Sequence, residues 1–391
     1  MASLRYVLIN VLETLLRMLP LPRKTGVIAI GHPDRHSPVL LTCNYHLTVE
    51  RVKKALRGLD CYLLVANSRG VNVWCAAAGG LFTHHDVISA LKTSGIEDLV
   101  EQREVILPQL AAAGIEARQV REQTGWRVIW GPVYARDVPA FLQDPRHKPP
   151  AMRQVSFPLW DRVEMAAAWA FPISAVAALV LLFVWRAALW PLVLLVWGIA
   201  LLAFASFPLY ARRLNVKHDR VGLVFFDFGR GGIQLILWGL CVLVLVALAL
   251  LSDSFGWGDV LRWGVATLVL VVIVSIDLSG STPVLKSGLQ GDRLLRVRLD
   301  TDKCKGAGAC EQVCPRNCFE VDRQEHTATM PGAERCVQCG ACIVQCPFDA
   351  LAFADPTGGV IPPETIRRFK LNMMGERRRS GMEERQHPTR R

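Results

Sequence analysis

Several common binding and export motifs are missing from this 391-residue sequence. It has no Gly-x-Gly-x-x-Gly dinucleotide fingerprint and no P-loop, which excludes the usual phosphate-binding turns. No stripe of basic and aromatic residues indicates DNA or RNA binding, although the formal net charge is +11. No secretory signal is present, because Glu13 and Arg17 interrupt the apolar segment near the start. We therefore expect no nucleic-acid partner and no cleaved export signal.

Charged residues are nearly absent from four stretches in the middle of the chain. These stretches are Met165–Trp185, Ala187–Ala211, Gly231–Ser252 and Val260–Leu278. The first is long enough, as a helix, to cross about 30 Å of hydrocarbon. The last is weaker because it contains Arg262, which can snorkel to the interface. We expect a transmembrane α-helical domain of about four helices over 163–278, followed by a linker over 279–294.

Basic residues surround these stretches unevenly. The first flank and the second connection contain Arg146, Lys148, Arg153, Arg162, Arg212, Arg213, Lys217, Arg220 and Arg230. The third connection instead holds Asp253 and Asp259 before Arg262. By the positive-inside rule, both ends of the chain would lie in the cytoplasm. The sequence thus predicts a multi-pass protein of the inner (cytoplasmic) membrane.

The first 24 residues predict an amphipathic N-terminal helix. One helical face carries Leu4, Leu8, Val11, Leu12, Leu15, Leu16 and Leu19. Such a face suits a helix lying in a membrane interface, and it equally suits a helix packed on its own domain.

Eight of the twelve cysteines lie between Cys304 and Cys346. The second run, from Cys336 to Pro347, reads C-x2-C-x2-C-x3-C-P, which is the bacterial ferredoxin spacing. A zinc site would more often use two separated cysteine pairs. We therefore predict an α+β bacterial-type dicluster ferredoxin domain over 295–356, in a reducing compartment. The basic tail, 357–391, would be disordered and face the membrane.

The first cysteine run is incomplete, because Ala307 stands where the second cysteine is expected. By the crossover rule, one [4Fe–4S] cluster is held by Cys336, Cys339, Cys342 and Cys314. The other site retains Cys304, Cys310 and Cys346. Three thiolates suit a [3Fe–4S] cluster or a [4Fe–4S] cluster with a labile iron. Cys318 is either a replacement fourth ligand or a buried structural cysteine.

Residues 25–150 alternate short β-like runs with helical ones. Predicted strands are Thr25–Gly31, Val39–Thr42, Cys61–Val65, Val71–Trp74, Val105–Pro108, Glu116–Val120 and Arg127–Gly131. Predicted helices are Leu47–Leu59, His85–Lys92 and Val138–Leu142. This alternation indicates an α/β domain with a largely parallel sheet. Such sheets bind ligands at the carboxyl ends of their strands.

At one such end, Cys75 is followed by three alanines and two glycines. Small residues let a large flat ligand approach the backbone. From the residues alone, Cys75 is a core residue, a nucleophile or a metal ligand. His84 and His85 are near in sequence but suit the start of the next helix.

The stretch Asn72-Val-Trp-Cys-Ala-Ala77 resembles the cap-helix motif of the mercury-methylating corrinoid protein family. Further resembling stretches are Pro38–Asn44, Leu47–Val49, Val105–Gln109, Trp130–Val133 and Asp137–Phe141. The membrane block follows in the same order, and the iron–sulfur domain resembles the family's partner ferredoxin, here fused. The resemblance implies a Rossmann-like corrinoid-binding domain over 25–150.

It also implies that the Cys75 thiolate is the lower axial ligand of the corrinoid cobalt and the catalytic residue. A soft thiolate suits an electron-rich cobalt. The ferredoxin would return the cobalt to Co(I) for the next methyl group. Cofactor-binding residues implied by the resemblance are Thr42, Asn44, Thr48, Asn72, Val73, Trp74, Cys75, Ala76, Ala77, Gly131 and Pro132.

The expected function is corrinoid-dependent methyl transfer at the membrane, with Hg(II) as acceptor. Expected partners are a methyl-donor protein or a methyl-corrinoid or folate system, and a low-potential electron donor. Gly79 replaces a lysine usual in the family, no adjacent cysteines follow Cys346, and four spans are counted where five are usual. These differences motivate two alternatives: a corrinoid methyltransferase with another soft or thiol acceptor, and a membrane electron-transfer protein without methyl transfer.

Overall fold

A computed structural model describes residues 4–145, 147–214, 233–252, 254–275, 278, 282–284, 294–371 and 377–379. The chain divides into two compact units. One comprises Met1–Met18 and Phe157–Arg293, and the other comprises Leu19–Ser156 and Leu294–Arg391. The second unit joins the predicted α/β domain and the predicted iron–sulfur domain.

The helices in the described residues are α1 (Leu4–Leu15), α2 (His46–Ala55), α3 (Val73–Ala78), α4 (His84–Thr93), α5 (Ile96–Leu99), α6 (Ala117–Thr124), α7 (Val138–Gln143), α8 (Pro150–Arg153), α9 (Leu159–Val184), α10 (Leu189–Ala205), α11 (Phe207–Leu214), α12 (Ile233–Leu251), α13 (Trp257–Ser275), α14 (Ala309–Val313), α15 (Ala341–Gln345) and α16 (Pro363–Arg368). The strands are β1 (Gly26–Ile30), β2 (Val39–Cys43), β3 (Cys61–Ala66), β4 (Glu104–Leu107), β5 (Arg127–Trp130), β6 (Arg296–Leu299), β7 (Glu320–Asp322), β8 (Thr327–Thr329), β9 (Leu351–Ala354), β10 (Val360–Ile361), β11 (Phe369–Leu371) and β12 (Arg377–Arg379). A 3₁₀ segment, Gln109–Ala113, connects β4 to α6.

The α/β domain contains a five-stranded sheet in the order β1-β3-β2-β4-β5. β1 runs antiparallel to β3, and the other pairs are parallel. β2 and β3 are buried along their whole length, as expected for strands covered on both faces. The predicted α/β class with a largely parallel sheet is confirmed. The carboxyl ends of β2 to β5 therefore share one edge of the sheet.

Two of the predicted strands are wrong. Val71–Trp74 contains the start of α3, because the Asn72 side chain accepts a hydrogen bond from the Cys75 backbone N–H and caps a helix there. Glu116–Val120 lies mainly in α6, which ends at Gly125 in the left-handed region (φ 76°). A glycine in this conformation is a common helix terminator. Runs of four or five residues are too short to distinguish the two-residue period of a strand from the 3.6-residue period of a helix.

The first unit is built around long apolar helices. By length and composition, three described segments could cross a membrane: Leu159–Val184, Arg186–Ala205 and Trp257–Ser275. They correspond to the first, second and fourth predicted spans. The third prediction coincides with α12, whose apolar part, Leu235–Leu251, is shorter.

Small residues pack these helices closely, and large apolar residues face outward. Ala166, Ala170 and Ala200 are fully buried in the shared cluster, where their small side chains let the helices approach each other closely. Val176 and Leu194 are 67% and 70% exposed. This surface is apolar on the outside, which is unfavourable in water and suited to lipid.

α1 packs on α9, and Arg17 lies 3.5 Å from the Glu164 carboxylate. The opposite face exposes Leu4 and Leu12, at 75% and 56%. The helix therefore packs on its own unit while its apolar stripe stays uncovered.

The iron–sulfur domain is α+β, with a three-stranded sheet in the order β10-β9-β6 and a β7-β8 hairpin. The two short helices α14 and α15 each begin after a left-handed glycine, Gly308 (φ 75°) and Gly340 (φ 77°). The sheet continues past residue 356, because β10 pairs with β9. Ile366 of α16 is buried, and Arg367 donates to Asp349. The first part of the predicted tail thus belongs to this domain.

Several sequence predictions fall outside the described residues. They concern Arg146, Lys217, Arg220, Arg230, Asp253, most of the linker 279–294 and tail residues 372–376 and 380–391.

Candidate functional site

The cysteines of the iron–sulfur domain line two cavities. We call the first the three-thiolate cavity, which is lined by Cys304, Cys310 and Cys346. The second is the four-thiolate cavity, which is lined by Cys314, Cys336, Cys339 and Cys342. These are the sets that the crossover rule brings together. Each cavity combines cysteines from both sequence runs.

Ala307 lines the three-thiolate cavity, at the place where a fourth thiolate is missing. Cys318 lines the four-thiolate cavity instead. Its backbone N–H donates to Cys314 Sγ at 3.3 Å, and its thiol is fully buried. Cys318 is therefore a fifth cysteine of the complete site. Its position does not support the hypothesis that it completes the three-thiolate site.

The thiols fit polynuclear clusters better than single ions. Burial raises the pKa of the Cys342 thiol well above its ordinary value and that of Cys310 to about 12. Such thiols become thiolates when bound iron supplies the compensating charge. Within the described residues, no three Cys, His, Asp or Glu side chains converge as ligands of one metal ion. Thiolates arranged around a cavity match the outer ligands of an iron–sulfur cluster.

Hydrogen bonding distinguishes Cys318 from its neighbours. A side-chain hydrogen bond with Cys318 lowers the pKa of Cys314, and side-chain hydrogen bonds with Cys314 and Cys336 raise the pKa of Cys318. The donated proton stabilises negative charge on Cys314. Cys318 thus stabilises the thiolate form of Cys314, a predicted cluster ligand, through this hydrogen bond.

Cys75 lies in the first turn of α3, and its side chain is exposed. The Asn72 side-chain oxygen accepts from the Cys75 N–H at 3.0 Å, which fixes the start of the helix. On the other face, Ala76 and Ala77 are fully buried. The interpretation of Cys75 as a core residue is therefore wrong. His84 lies near a carboxylate instead, with Nδ1 3.7 Å from Glu116.

α3 packs on the 3₁₀ segment that follows β4. The tightest point is Gly114, where a Cβ would lie 2.6 Å from the Ala77 carbonyl oxygen and 2.8 Å from Ala77 Cα. Only a residue without a side chain fits at this distance. The helix bearing Cys75 is therefore seated on the 3₁₀ segment.

The other predicted cofactor contacts differ in accessibility. Thr48, Asn72 and Trp74 are half-buried. The buried ones are Thr42, Asn44, Val73, Ala76, Ala77, Gly131 and Pro132. Buried side chains shape the support of a site, whereas half-buried and exposed ones can contact a ligand directly.

Asn44 has a structural task that its sequence position did not indicate. Its side-chain oxygen accepts from Ser68 N (2.9 Å), Ser68 Oγ (3.0 Å) and Gly70 N (3.0 Å). Its amide nitrogen donates to the Arg23 carbonyl at 3.2 Å. Asn44 therefore ties the end of β2 to the loop before α3.

The two domains of this unit share a contact that sequence analysis missed. Lys148 and Arg153 were counted as membrane-flanking charges, yet both are buried, at 4% and 8% exposed. Lys148 Nζ donates to Gln109 Oε1 (2.8 Å) and to the carbonyls of Trp130 (3.0 Å), Gly131 (3.0 Å) and Gln312 (2.9 Å). Gln312 belongs to α14, between Cys310 and Cys314. No local pattern around a single lysine could have indicated this role.

Further hydrogen bonds cross the same contact. Gln345 Nε2 donates to the carbonyls of Ala112 (2.8 Å) and Ile115 (2.5 Å). Val155 N–H donates to the Pro315 carbonyl at 2.9 Å. Arg153 lies 3.4 Å from the Glu311 carboxylate. The iron–sulfur domain is thus hydrogen-bonded to the 3₁₀ segment on which α3 rests.

Comparison with known proteins assigns the two domains separately. Residues 14–142 match the family described as CO dehydrogenase/acetyl-CoA synthase delta subunit. Residues 303–350 match the 4Fe-4S dicluster domain family. The first match covers the α/β domain, and the second contains both cysteine runs.

Among similar proteins are subunits gamma of the acetyl-CoA decarbonylase/synthase complex. That of Methanopyrus kandleri is 39% identical over 120 residues, which are 30% of this chain and 26% of the relative. The Methanothermobacter thermautotrophicus subunit is 37% identical over 119 residues, with the same coverage of both chains. That of Archaeoglobus fulgidus is 33% identical over 126 residues, 32% of this chain and 26% of the relative. The chain spans about a quarter of the length of these relatives.

Proposed function

We propose that this chain is a membrane-bound, corrinoid-dependent methyltransferase with its own iron–sulfur reductase domain. The observation that carries the proposal is the position of Cys75. Its exposed side chain stands at the ligand-binding edge of a parallel sheet, on a helix seated against the segment that the iron–sulfur domain contacts. The helix that bears this soft metal ligand and the domain that would supply electrons therefore both contact the 3₁₀ segment.

The residues around Cys75 suit a corrinoid. A thiolate is a soft donor, appropriate for cobalt, and Cys75 lies on the exposed face of α3. When bound, the corrinoid supplies a cobalt that accepts and passes on a methyl group. Asn72 holds the first turn of α3, so that the sulfur has a fixed direction. Gly114 and Ala77 hold the helix from below.

The iron–sulfur domain has the ligands for one [4Fe–4S] cluster and for one [3Fe–4S] or labile [4Fe–4S] cluster. Cys336, Cys339, Cys342 and Cys314 would hold the first, and Cys304, Cys310 and Cys346 the second. Their task is one-electron supply to the corrinoid, drawn from a low-potential electron donor. The match to the dicluster family supports this assignment.

For the methyl acceptor we propose Hg(II), which would give methylmercury. The Asn72–Ala77 motif and the apolar helices that follow the α/β domain support this choice. The relatives named above are subunits of an acetyl-CoA decarbonylase/synthase complex, which favours a partner protein of such a complex as the second candidate acceptor. A different soft or thiol acceptor, and electron transfer without methyl transfer, are the remaining alternatives.

We further propose that the first unit crosses the cytoplasmic membrane with both chain ends in the cytoplasm. The outward-facing apolar side chains of α9, α10 and α13 support insertion in lipid. This orientation would keep the α/β and iron–sulfur domains on one side. Protease digestion of right-side-out vesicles tests it: cleavage within 294–371 from outside would overturn it.

The function is tested by anaerobic purification in the presence of cobalamin, followed by absorption spectroscopy. Wild-type protein should retain corrinoid with a thiolate-shifted band, and Cys75→Ala should lose that shift. Cys241→Ala, which removes a cysteine from α12, is the matched control and should keep it. Absence of any bound cobalt would leave only the electron-transfer alternative. Methylmercury production by cells, with and without Cys75→Ala, then decides between Hg(II) and the other acceptors.

A further inference from the structure

The two cluster cavities are not equivalent in their relation to the α/β domain. Of the residues that line the four-thiolate cavity, Pro315 and Arg316 contact Val155 in the segment that follows the α/β domain, and Cys339 packs on an apolar cluster that includes residues of the 3₁₀ segment. The Pro315 carbonyl accepts from Val155, and Arg316 Nη1 donates to the Val155 carbonyl at 3.1 Å. Beside the three-thiolate cavity, the contacts come from Glu311 and Gln345, which do not line it.

One ligand cysteine, Cys339, packs against a small apolar cluster formed by Ala112, Ala113, Val313 and Ala341. The first two residues belong to the 3₁₀ segment, and the last two belong to α14 and α15. Trp130, at the end of β5, packs on the same cluster. A ligand cysteine therefore borders the apolar cluster that joins the iron–sulfur domain to the segment supporting α3.

Hydrogen bonds from Lys148 and Gln345 stabilise this contact between the two domains. Lys148 Nζ donates to Gln109 at the start of the 3₁₀ segment and to Gln312 of α14. Gln345, at the end of α15, donates to Ala112 and Ile115. Both short helices of the iron–sulfur domain are thus tied to the same five-residue segment.

We propose that the four-thiolate site is the exit of an internal electron relay into the α/β domain, and that Lys148 and Gln345 are positioning residues that hold this exit against the 3₁₀ segment. The inference rests on the proposed function for the identity of the electron acceptor. In each transfer the [4Fe–4S] cluster is oxidised by one electron, and the corrinoid cobalt is reduced by one. The electron is replaced by a low-potential one-electron donor protein.

Docking is tested without corrinoid, by hydrogen–deuterium exchange on the full-length, iron-loaded protein in detergent. Lys148→Met keeps the side-chain length and removes the ammonium, and Gln345→Leu removes the second contact. Exchange over residues 109–115 should rise about tenfold or more in each variant, because charge-assisted or multiple buried hydrogen bonds are lost. Lys303→Met, which changes an exposed lysine of the same domain, should leave it unchanged. Unaltered exchange in both interface variants would overturn the docking role.

The exit is tested by electron paramagnetic resonance. Cob(II)alamin mixed with the protein and frozen before electron transfer should accelerate spin relaxation of the reduced [4Fe–4S] signal more than that of the oxidised three-iron signal, since the paramagnetic cobalt lies nearer the first cluster. Lys148→Met and Gln345→Leu should reduce this difference at unchanged iron content. A stronger effect on the three-iron signal would overturn the assignment of the exit.

The outcomes separate this inference from the proposed function. If cobalamin binds through Cys75 and neither cluster signal follows the prediction, the relay fails while the methyltransferase proposal stands. If no corrinoid binds, the proposed function fails, and with it the relay into a corrinoid. The exchange measurement still decides the docking role in that case.

Discussion

Lys148 Nζ lies 2.9 Å from the carbonyl oxygen of Gln312, and this hydrogen bond joins the α/β domain to the helix between two cluster-ligand cysteines. The same ammonium donates to two carbonyls at the end of β5, those of Trp130 and Gly131. A lysine almost never occupies such a place unless its donors are satisfied. The α/β domain and the iron–sulfur domain are therefore joined by a specific polar contact as well as by the chain that connects them.

Lys148 should make stability depend on pH. Burial, assisted by the charge of nearby Arg153, lowers the pKa of Lys148 to about 7, against about 10.4 for an exposed lysine. Between these values the unfolded chain binds the proton and the folded chain does not. The free energy of unfolding should therefore rise with pH over this window, by at most about 1.4 kcal/mol per pH unit.

Urea unfolding of wild type and Lys148→Met, from about pH 7 to about pH 10, checks this expectation. The stability difference between the two proteins should grow in favour of wild type as the pH rises. Parallel pH profiles for the two proteins would contradict the prediction.

Ala307→Cys should convert the three-thiolate site into a complete one. The new thiol would line the same cavity as Cys304, Cys310 and Cys346. Iron content should rise from about seven to about eight atoms per chain, and the oxidised [3Fe–4S] resonance should disappear. Ala307→Val adds volume without a ligand and should leave both measurements unchanged. Persistence of the three-iron resonance in Ala307→Cys would contradict the assignment.

Cys318→Ala should leave the iron content of both sites intact. The Cys318 thiol is hydrogen-bonded to Cys314. Of the two described cavities, Cys318 lines the four-thiolate cavity and not the three-thiolate cavity. Loss of this donor should lower the reduction potential of the [4Fe–4S] cluster, since hydrogen bonds to ligand sulfur stabilise the reduced state. Redox titration followed by paramagnetic resonance measures the shift. A three-iron resonance that appears only in Cys318→Ala would instead make Cys318 the fourth ligand of the other site.

Gly114→Ala should disturb α3 and with it Cys75. The added Cβ would meet backbone atoms of Ala77 and the Phe82 carbonyl at 2.5–2.8 Å. Because backbone cannot move aside freely, we expect a loss of about 1–3 kcal/mol in unfolding free energy and a changed cobalamin spectrum. Gly198→Ala, in α10, is the control: like Gly114 it has no positive φ, but open space surrounds the added Cβ. An unchanged spectrum in Gly114→Ala would show that α3 does not depend on this contact.

Asn44→Ala should destabilise the α/β domain through its backbone. The substitution leaves Ser68 and Gly70 without their acceptor, and a buried unsatisfied donor costs about 1–3 kcal/mol. Asn67→Ala, which removes one exposed acceptor from Arg69, should cost less. Thermal unfolding compares the two. Equal midpoints would contradict the structural role inferred for Asn44.

Local spacing was sufficient for the elements that depend on neighbours in sequence. The apolar runs predicted α9, α10 and α13, and the alternation around β2 to β5 predicted a parallel sheet. Prediction from local spacing failed at α3 and α6, where a side-chain cap and a glycine terminator decide between helix and strand. Those decisions depend on single hydrogen bonds or single dihedral angles, which outweigh a short apolar pattern.

The amino-acid order alone determined the two cysteine sets, because ligand spacing in an iron–sulfur run is a local geometric requirement that few other sites share. It also placed Cys75 next to small residues. Tertiary structure decided which cavity Cys318 lines, why Lys148 is buried and which cluster site contacts the segment under α3. These relationships join residues more than a hundred positions apart, and their energies arise from burial and hydrogen bonding that exist only after the domains pack.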